Sequence, residues 1–367
     1  MSRPHRIAII GTVGVPANYG GFETLVENLA QFHHDSKAPE KVTVYCSAKA
    51  YDTGPDRYLD MDLRYVPLNA NGAQSIPYDM WSMLSAVLKG TDTILILGVS
   101  GTVILPLIRL ISRARIITNI DGIEWKRDKW GGFQRKFLKT SEAIAVKLSH
   151  RVIADNGAIA DYVRAEYGTD CAVIAYGGDH AVQAEAAPLT EIVPPARYAF
   201  NVCRIEPENN VHMMLEAFAD NADFPLVCVG NWDRSAYGAD LKARYKDAPG
   251  LRILDPIYDT GKLKTLRAGS SAYIHGHSAG GTNPSLVEMM HFGVPVFAYD
   301  CMFNRHSTDD KALFFSDAAD LRAKLANTDP GTLAANGAAM KALAQERYTW
   351  AAIGEAYFDL IRTTARA

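Results

Sequence analysis

Two stretches of this 367-residue chain combine residue types that could hold a phosphate. The first, GTVGVPANYGGFETLVENLA, follows a short apolar strand (6–11) and carries Gly11, Gly14, Gly20 and Gly21 ahead of a helix opening near Phe22 and Glu23. Glycines at such a turn let backbone N–H groups approach an anion at a helix N-terminus. The spacing matches neither the GxGxxG dinucleotide fingerprint nor a Walker loop, and a βα loop whose glycines only turn the chain fits equally well. The second stretch is HSAGGTNPSLVEMMHFGVPVFAYD (277–300). Here Asn283 can cap a helix, Pro284 suits its first position, and Gly280 and Gly281 lie just upstream. Free N–H groups at that point suit a diphosphate. Glu288 falls about one turn further in, where it can accept hydrogen bonds from ribose hydroxyls. A capped helix with a solvated Glu288 is the competing reading.

Two further segments are chemically suggestive. His275 and His277 alternate on a strand, like an HxH metal pair, but no third ligand has matching spacing, so a cleft-lining or hydrogen-bonded role is preferred and no metal is expected. The run NIDGIEWKRDKW (119–130) closes a strand with Asp121 and then offers Glu124 and Trp125, and strand carboxyl ends are where open α/β sheets bind ligands. From Lys126 to Lys147 the chain interleaves Lys and Arg with Trp130, Phe133, Phe137 and Leu138. That segment reads either as a surface for anionic lipid headgroups or as an ordinary amphipathic helix on its own sheet.

These groups need a scaffold, and the length favours two domains, each able to bury a core. Short apolar runs alternate with helical patterns in two series: RIAIIG, KVTVYC, TILILG, ARIITNI and RVIAD, then RYAFNVC, PLVCVG, LRILDP, SAYIHG and VPVFAYD. Such alternation predicts two α/β halves with parallel sheets. The Gly-, Ala- and Pro-rich stretch between them predicts a domain connection and a hinged cleft. The boundaries drawn are an N-terminal domain over 1–180, a linker over 181–196, a C-terminal domain over 197–345 and a helical tail over 346–367 that could return to the N-terminal domain. Lys and Arg total 38 against 41 Asp and Glu, a net charge of −3, so nucleic acid is not an expected partner. The five cysteines are widely spaced and read as reduced thiols. No signal-peptide pattern opens the chain, which predicts a cytoplasmic protein, with peripheral contact at the inner membrane face left open. The apolar stretch Ile94–Ile111 is broken by Gly98, Ser100, Gly101 and Pro106 and reads as a buried βα unit rather than a span.

The ordered set GTVGVPANYGGFETLVENLA, ILGVSG, NIDGIEWKRDKWG, VIADNGAIADY, CRIEPENNVHMMLEAF, GNWDRSAYG, DPIYD and IHGHSAGGTNPSLVEMMHFGVPVFAYD resembles retaining glycosyltransferases of family 4. Within that family it looks like the bacterial rhamnosyltransferases of surface-polysaccharide assembly, and the resemblance spans nearly the whole chain. It implies the GT-B fold, two Rossmann-like domains facing across a cleft. It implies that Gly20 and Gly21 approach the donor phosphates and the acceptor and that Arg204 reaches the diphosphate. Gly281, Thr282, Asn283 and Ser285 would line the phosphate and sugar pocket, Glu288 would bind the ribose, and Tyr258 would lie near the base. Asp121 takes roughly the place of a histidine that relatives carry beside the reacting sugar, with Glu124 and Trp125 also on the acceptor side. Two departures stand out: Asn209 occupies the donor-side position where relatives have a lysine, and Gly280 stands where they have a glutamate.

The implied reaction is transfer with retention. Arg204 and the helix start before Glu288 would stabilise the leaving nucleotide diphosphate, which itself takes the acceptor proton while Asp121 orients the reactants. Neither cofactor nor metal is expected. The donor would be a dTDP-, UDP- or GDP-sugar, with rhamnose the first guess by resemblance, and the acceptor a glycan or lipid-diphosphate-linked glycan. Rival readings are a nucleotide-sugar epimerase or hydrolase of the same fold, or a binding protein without turnover.

Overall fold

The computed structural model describes residues 3–17, 20–51, 54–120, 122–126, 131–190 and 192–366. The chain divides into two units, residues 1–175 with 350–367, and residues 176–349.

In the first unit the elements run β1 (Arg6–Ile10), α1 (Gly21–Asp35), β2 (Lys41–Ser47), β3 (Arg57–Tyr58), β4 (Met61–Val66), α2 (Ser75–Leu88) and β5 (Thr93–Leu97). They continue with α3 (Leu105–Ile111), β6 (Arg115–Asn119), α4 (Gly132–Leu148), β7 (Arg151–Ala154), α5 (Gly157–Tyr167) and β8 (Ala172–Val173). The strands form one sheet in the order β3-β4-β2-β1-β5-β6-β7-β8, parallel except for the β3–β4 pair. The central strands are continuous apolar runs because helices cover both their faces, and all five residues of β5 are buried. The Ile94–Ile111 stretch resolves into β5, a turn and α3. Among the described residues no helix is long and apolar enough to cross a membrane.

The second unit contains α6 (His180–Gln183), β9 (Ala199–Val202), α7 (Val211–Phe218), β10 (Leu226–Val229), α8 (Ala236–Tyr245), β11 (Leu251–Leu254) and α9 (Thr260–Gly269). It closes with β12 (Ala272–His275), α10 (Pro284–Met290), β13 (Val296–Tyr299), α11 (Met302–Thr308), β14 (Leu313–Phe315), α12 (Ala318–Asn327) and α13 (Pro330–Arg347). Its sheet is wholly parallel, in the order β11-β10-β9-β12-β13-β14. One side of that sheet packs Phe218, Trp232, Ile274 and Phe297 into a single core.

The segment 181–196, read as a linker, lies inside this second unit. It has little secondary structure of its own, so its backbone carbonyls find partners on α9. Lys264 Nζ donates to the carbonyls of Val182 and Ala184, each at 2.8 Å, and Thr265 Oγ1 donates to that of Ala187 at 2.7 Å.

The last helix, α14 (Trp350–Arg366), belongs to the first unit and packs on α1. Ile353, Tyr357, Phe358 and Ile361 form its buried stripe, at the spacing that puts residues on one helical face. Gly354 lets the two helices meet, since a Cβ there would lie 2.3 Å from Cγ of Phe32. Arg362 Nε donates to Glu40 Oε1 at 2.7 Å and Asn119 Nδ2 donates to the Tyr357 hydroxyl at 2.7 Å, which fixes the helix in register.

Candidate functional site

In the second unit Glu288, on α10, is a largely buried carboxylate with partners on two other helices. Its side chain is 14% exposed, and its two oxygens have different partners: Oε2 receives a short hydrogen bond from Arg267 Nη2, and Oε1 lies 3.3 Å from His180 Nε2. Arg267 sits near the end of α9 and is 8% exposed at the side chain. Burial alone would raise the Glu288 carboxyl, but the Arg267 guanidinium and His180 outweigh it and hold the group below the ordinary glutamate value. The site therefore presents an ionised, oriented acceptor, as recognition of sugar hydroxyls requires. Gly178 makes His180's approach possible: a Cβ at Gly178 would lie 2.7 Å from the backbone nitrogen of Glu288. Neither Arg267 nor His180 was visible as a partner in the sequence, because no periodicity relates α9 or α6 to α10.

The start of α10 is capped as its residue types imply. Asn283 Oδ1 accepts from the backbone N–H of Ser285 at 3.0 Å and from its hydroxyl at 2.7 Å, and Pro284 opens the helix. Upstream, Gly280 adopts φ 102°, a conformation that favours glycine, while Thr282 is buried and Gly281 half-buried. Arg204 follows β9, with its guanidinium 3.7 Å from Glu206 and 3.8 Å from Glu208 and its side chain 44% exposed. Those distances are ion pairs without hydrogen bonds, so an anion could take over the guanidinium's donors.

Asn209 is placed differently from the donor-contact expectation. It is buried, its Nδ2 donates to the Arg204 carbonyl at 2.7 Å, and its Oδ1 lies 2.6 Å from His277 Nδ1. With both polar ends committed within the unit, it braces the loop that carries Arg204. His277 is thus a hydrogen-bonded histidine, and burial together with His277 holds His275 well below the usual histidine range, uncharged. Among the described residues no group of three or more His, Cys, Asp and Glu could hold a metal ion. Tyr258 lies in the loop between β11 and α9 and is 72% exposed, open to stack on a planar ligand.

In the first unit, Gly20 caps α1 with φ 135°, and a Cβ there would fall 1.9 Å from Glu23 Oε2. Glu23 is the residue that explains this loop. Its Oε1 accepts from the Val13 N–H at 2.7 Å and the Thr12 hydroxyl at 3.1 Å. A carboxylate of the chain itself therefore fills part of the N–H cradle that the glycines suggested for a phosphate, and Gly20 serves the close approach of Glu23. Gly21, the first residue of α1, is exposed.

Asp121 lies outside the described residues, as do Arg127, Lys129 and Trp130 of the basic segment. Glu124 and Trp125 form a 3-10 turn, Glu124–Lys126. The Trp125 ring donates through Nε1 to the Tyr162 hydroxyl at 3.1 Å and lies under Lys126 and Lys139. Behind it, Oε1 of the buried Glu142 accepts from the hydroxyls of Tyr162 at 2.6 Å and Tyr167 at 2.7 Å. Burial raises the Glu142 carboxyl, and the phenols only partly counter that. The network locks α4, α5 and the turn together, and sequence spacing gives no sign of it.

Residues 185–325 match the family described as glycosyl transferases group 1, and residues 4–179 match one described as a domain of unknown function, DUF1972. No curated protein matches the chain. Among solved structures, sucrose-phosphate synthase from Thermosynechococcus elongatus is similar at TM-score 0.75 and 16% identity, covering 98% of each chain. A glycosyltransferase from Rickettsia africae is similar at TM-score 0.72 and 13% identity, covering 99% of each. Anabaena HepE, solved with UDP and glucose, is similar at TM-score 0.71 and 13% identity, covering 98% of this chain and all (100%) of that one. Residues 185–325 thus match the glycosyl transferases group 1 model, and the two-sheet α/β architecture of the chain is GT-B-like.

Proposed function

We propose that the chain transfers a sugar, rhamnose first among candidates, from a nucleotide diphospho-sugar to a glycan or lipid-diphosphate-linked glycan of a bacterial surface polysaccharide. The observation that carries the reading is Glu288, an ionised carboxylate within the glycosyl transferases group 1 match, held by Arg267 and by His180 from just ahead of it. Glu288 accepts the ribose hydroxyls, and the planar cation of Arg204 receives the diphosphate after leaving Glu206 and Glu208. Asn209 has no part in that contact beyond holding the Arg204 loop. Thr282, Asn283 and Ser285 face the sugar, and Tyr258 packs on the base.

Transfer proceeds with retention. The bond from the anomeric carbon to the phosphate oxygen breaks, the acceptor hydroxyl oxygen bonds the same face of that carbon, and its proton passes to the departing phosphate oxygen. Arg204 stabilises the negative charge that develops on the diphosphate. Asp121, Glu124 and Trp125 orient the acceptor. The positive charge comes from Arg204, so no metal is given a role.

Titration of the protein with UDP-, GDP- and dTDP-sugars in a melting assay identifies the donor, since a ligand that binds the native state raises apparent stability. Arg204→Ala and Glu288→Ala are each expected to lower transfer by at least about a hundredfold, in the range of losing one main transition-state contact. Transfer near the wild-type rate by both variants would overturn the site. Donor hydrolysis without any acceptor dependence would favour the hydrolase alternative.

A further inference from the structure

The helices on one face of the first sheet leave a patch of large apolar side chains uncovered. On α2, Trp81 and Leu88 are 60% and 84% exposed. On α3, Leu107, Leu110 and Ile111 are 44%, 83% and 50% exposed, at the i, i+3, i+4 spacing of one stripe. Phe133, in the first turn of α4, is 83% exposed. The inner sides of α2, α3 and α4 share one core that includes Tyr78, Met83, Leu105, Ile108 and Ile144, so their outer sides point the same way, off the sheet. Single exposed apolar residues are ordinary on a protein surface. Six on three neighbouring helices make a patch of the kind that marks an interaction site.

Among the described residues of these helices, the exposed charges are of one sign. The three helices contain two acidic residues, Asp79 and Glu142, and both are buried, at 4% and 1% exposure. No Asp or Glu occurs between Thr93 and Ile120. Arg109, Arg113, Lys136 and Lys147 are all exposed around the stripe. In a chain of net charge −3 this is a local segregation of cations about an apolar centre.

We infer that the α2–α3–α4 face docks on an anionic bilayer surface. Trp81, Leu110 and Phe133 enter the boundary between headgroups and acyl chains, and the surrounding Arg and Lys meet lipid phosphates. Of the described residues, the basic segment 126–147 contributes α4 to this face, and five of the six exposed apolar side chains stand on α2 and α3. A second copy of the chain is the poorer occupant. A symmetric pair would set these cations against themselves, with no exposed acid on the three helices to answer them.

The test is co-sedimentation of the whole protein with phosphatidylcholine vesicles, with and without phosphatidylglycerol, and needs no sugar donor. Its outcome is therefore separate from that of the sugar-transfer reading. The protein is expected to pellet with phosphatidylglycerol-containing vesicles and to be released as salt is raised. Lys136→Glu with Lys147→Glu should weaken binding by at least about 25-fold, at about fivefold for each cation removed. Leu110→Glu with Phe133→Glu should abolish it while leaving the melting temperature and circular dichroism unchanged, because both positions are exposed. Failure to pellet with anionic vesicles, or equal pelleting by the Leu110/Phe133 variant, overturns the proposal. So does a concentration-dependent dimer in sedimentation velocity that Leu110→Glu dissolves, which would assign the face to a second copy.

Discussion

Replacing Arg267 with Met isolates what holds Glu288. Met keeps most of the buried stem's volume and removes the guanidinium, so the change is electrostatic before it is steric. Removing one partner of a buried ion pair costs about 3–5 kcal/mol, because the other charge is left without compensation. Glu288 is 14% exposed and keeps His180 at 3.3 Å, which places the expected loss at the lower end, about 3 kcal/mol near neutral pH. For a unit of this size, residues 176–349, that corresponds to a fall of roughly 6–12 °C in its melting temperature. The pH dependence gives the sign. In the native chain the Glu288 carboxyl is depressed, so its contribution is complete above the unfolded value of about 4.3 and is lost as pH falls through the folded value. Without Arg267, burial dominates and the carboxyl rises above its unfolded value. The variant's deficit must then shrink as pH is lowered from about 7 to about 5, where Glu288 can take up a proton. Melting followed by circular dichroism at both pH values measures this, with Arg267→Met/Glu288→Gln as the companion variant. The double variant carries no charge at either position and should recover at least half of the loss at pH 7. A melting shift below about 2 °C, a deficit equal at both pH values, or a double variant no better than the single one refutes the reasoning.

Two further outcomes follow from other buried groups. Asp79 on α2 has its carboxyl pushed up to about 8 by burial, against a weaker opposing hydrogen bond from the Gly101 backbone. A raised carboxyl destabilises the folded state as pH climbs from about 4 toward that value. Asp79→Asn should therefore stabilise the protein near pH 7, by at most about 4 kcal/mol, and hardly at all near pH 4. Urea unfolding at the two pH values checks this, and no gain at pH 7 would contradict it. Gly354→Val should undock α14 from α1, since the new side chain meets the Phe32 ring; overpacking of this kind costs about 1–3 kcal/mol. Faster amide exchange across Trp350–Arg366 is the expected readout.

The fold was largely written into the order of residue types. Short, β-branched apolar runs such as TILIL, bounded by turn residues, read as strands covered on both faces, and their alternation with helical patterns leads to two parallel sheets. Asn283 followed by Pro284 announced the start of α10, and the stripe from Ile353 to Ile361 announced a helix that must cover something. Pairing was a different matter. A residue's period tells which side of its own element is buried, and carries no information on which element lies opposite. Only the folded chain puts Arg267 and His180 on Glu288, turns Asn209 inward to His277, and brings Glu23 back onto Val13. The share of α2 and α3 in the apolar face was hidden for the same reason. In sequence, Leu110 reads as part of a buried βα unit, and it takes the packing of neighbouring helices to leave it outside, next to a Phe133 that the basic segment had already offered as a surface residue.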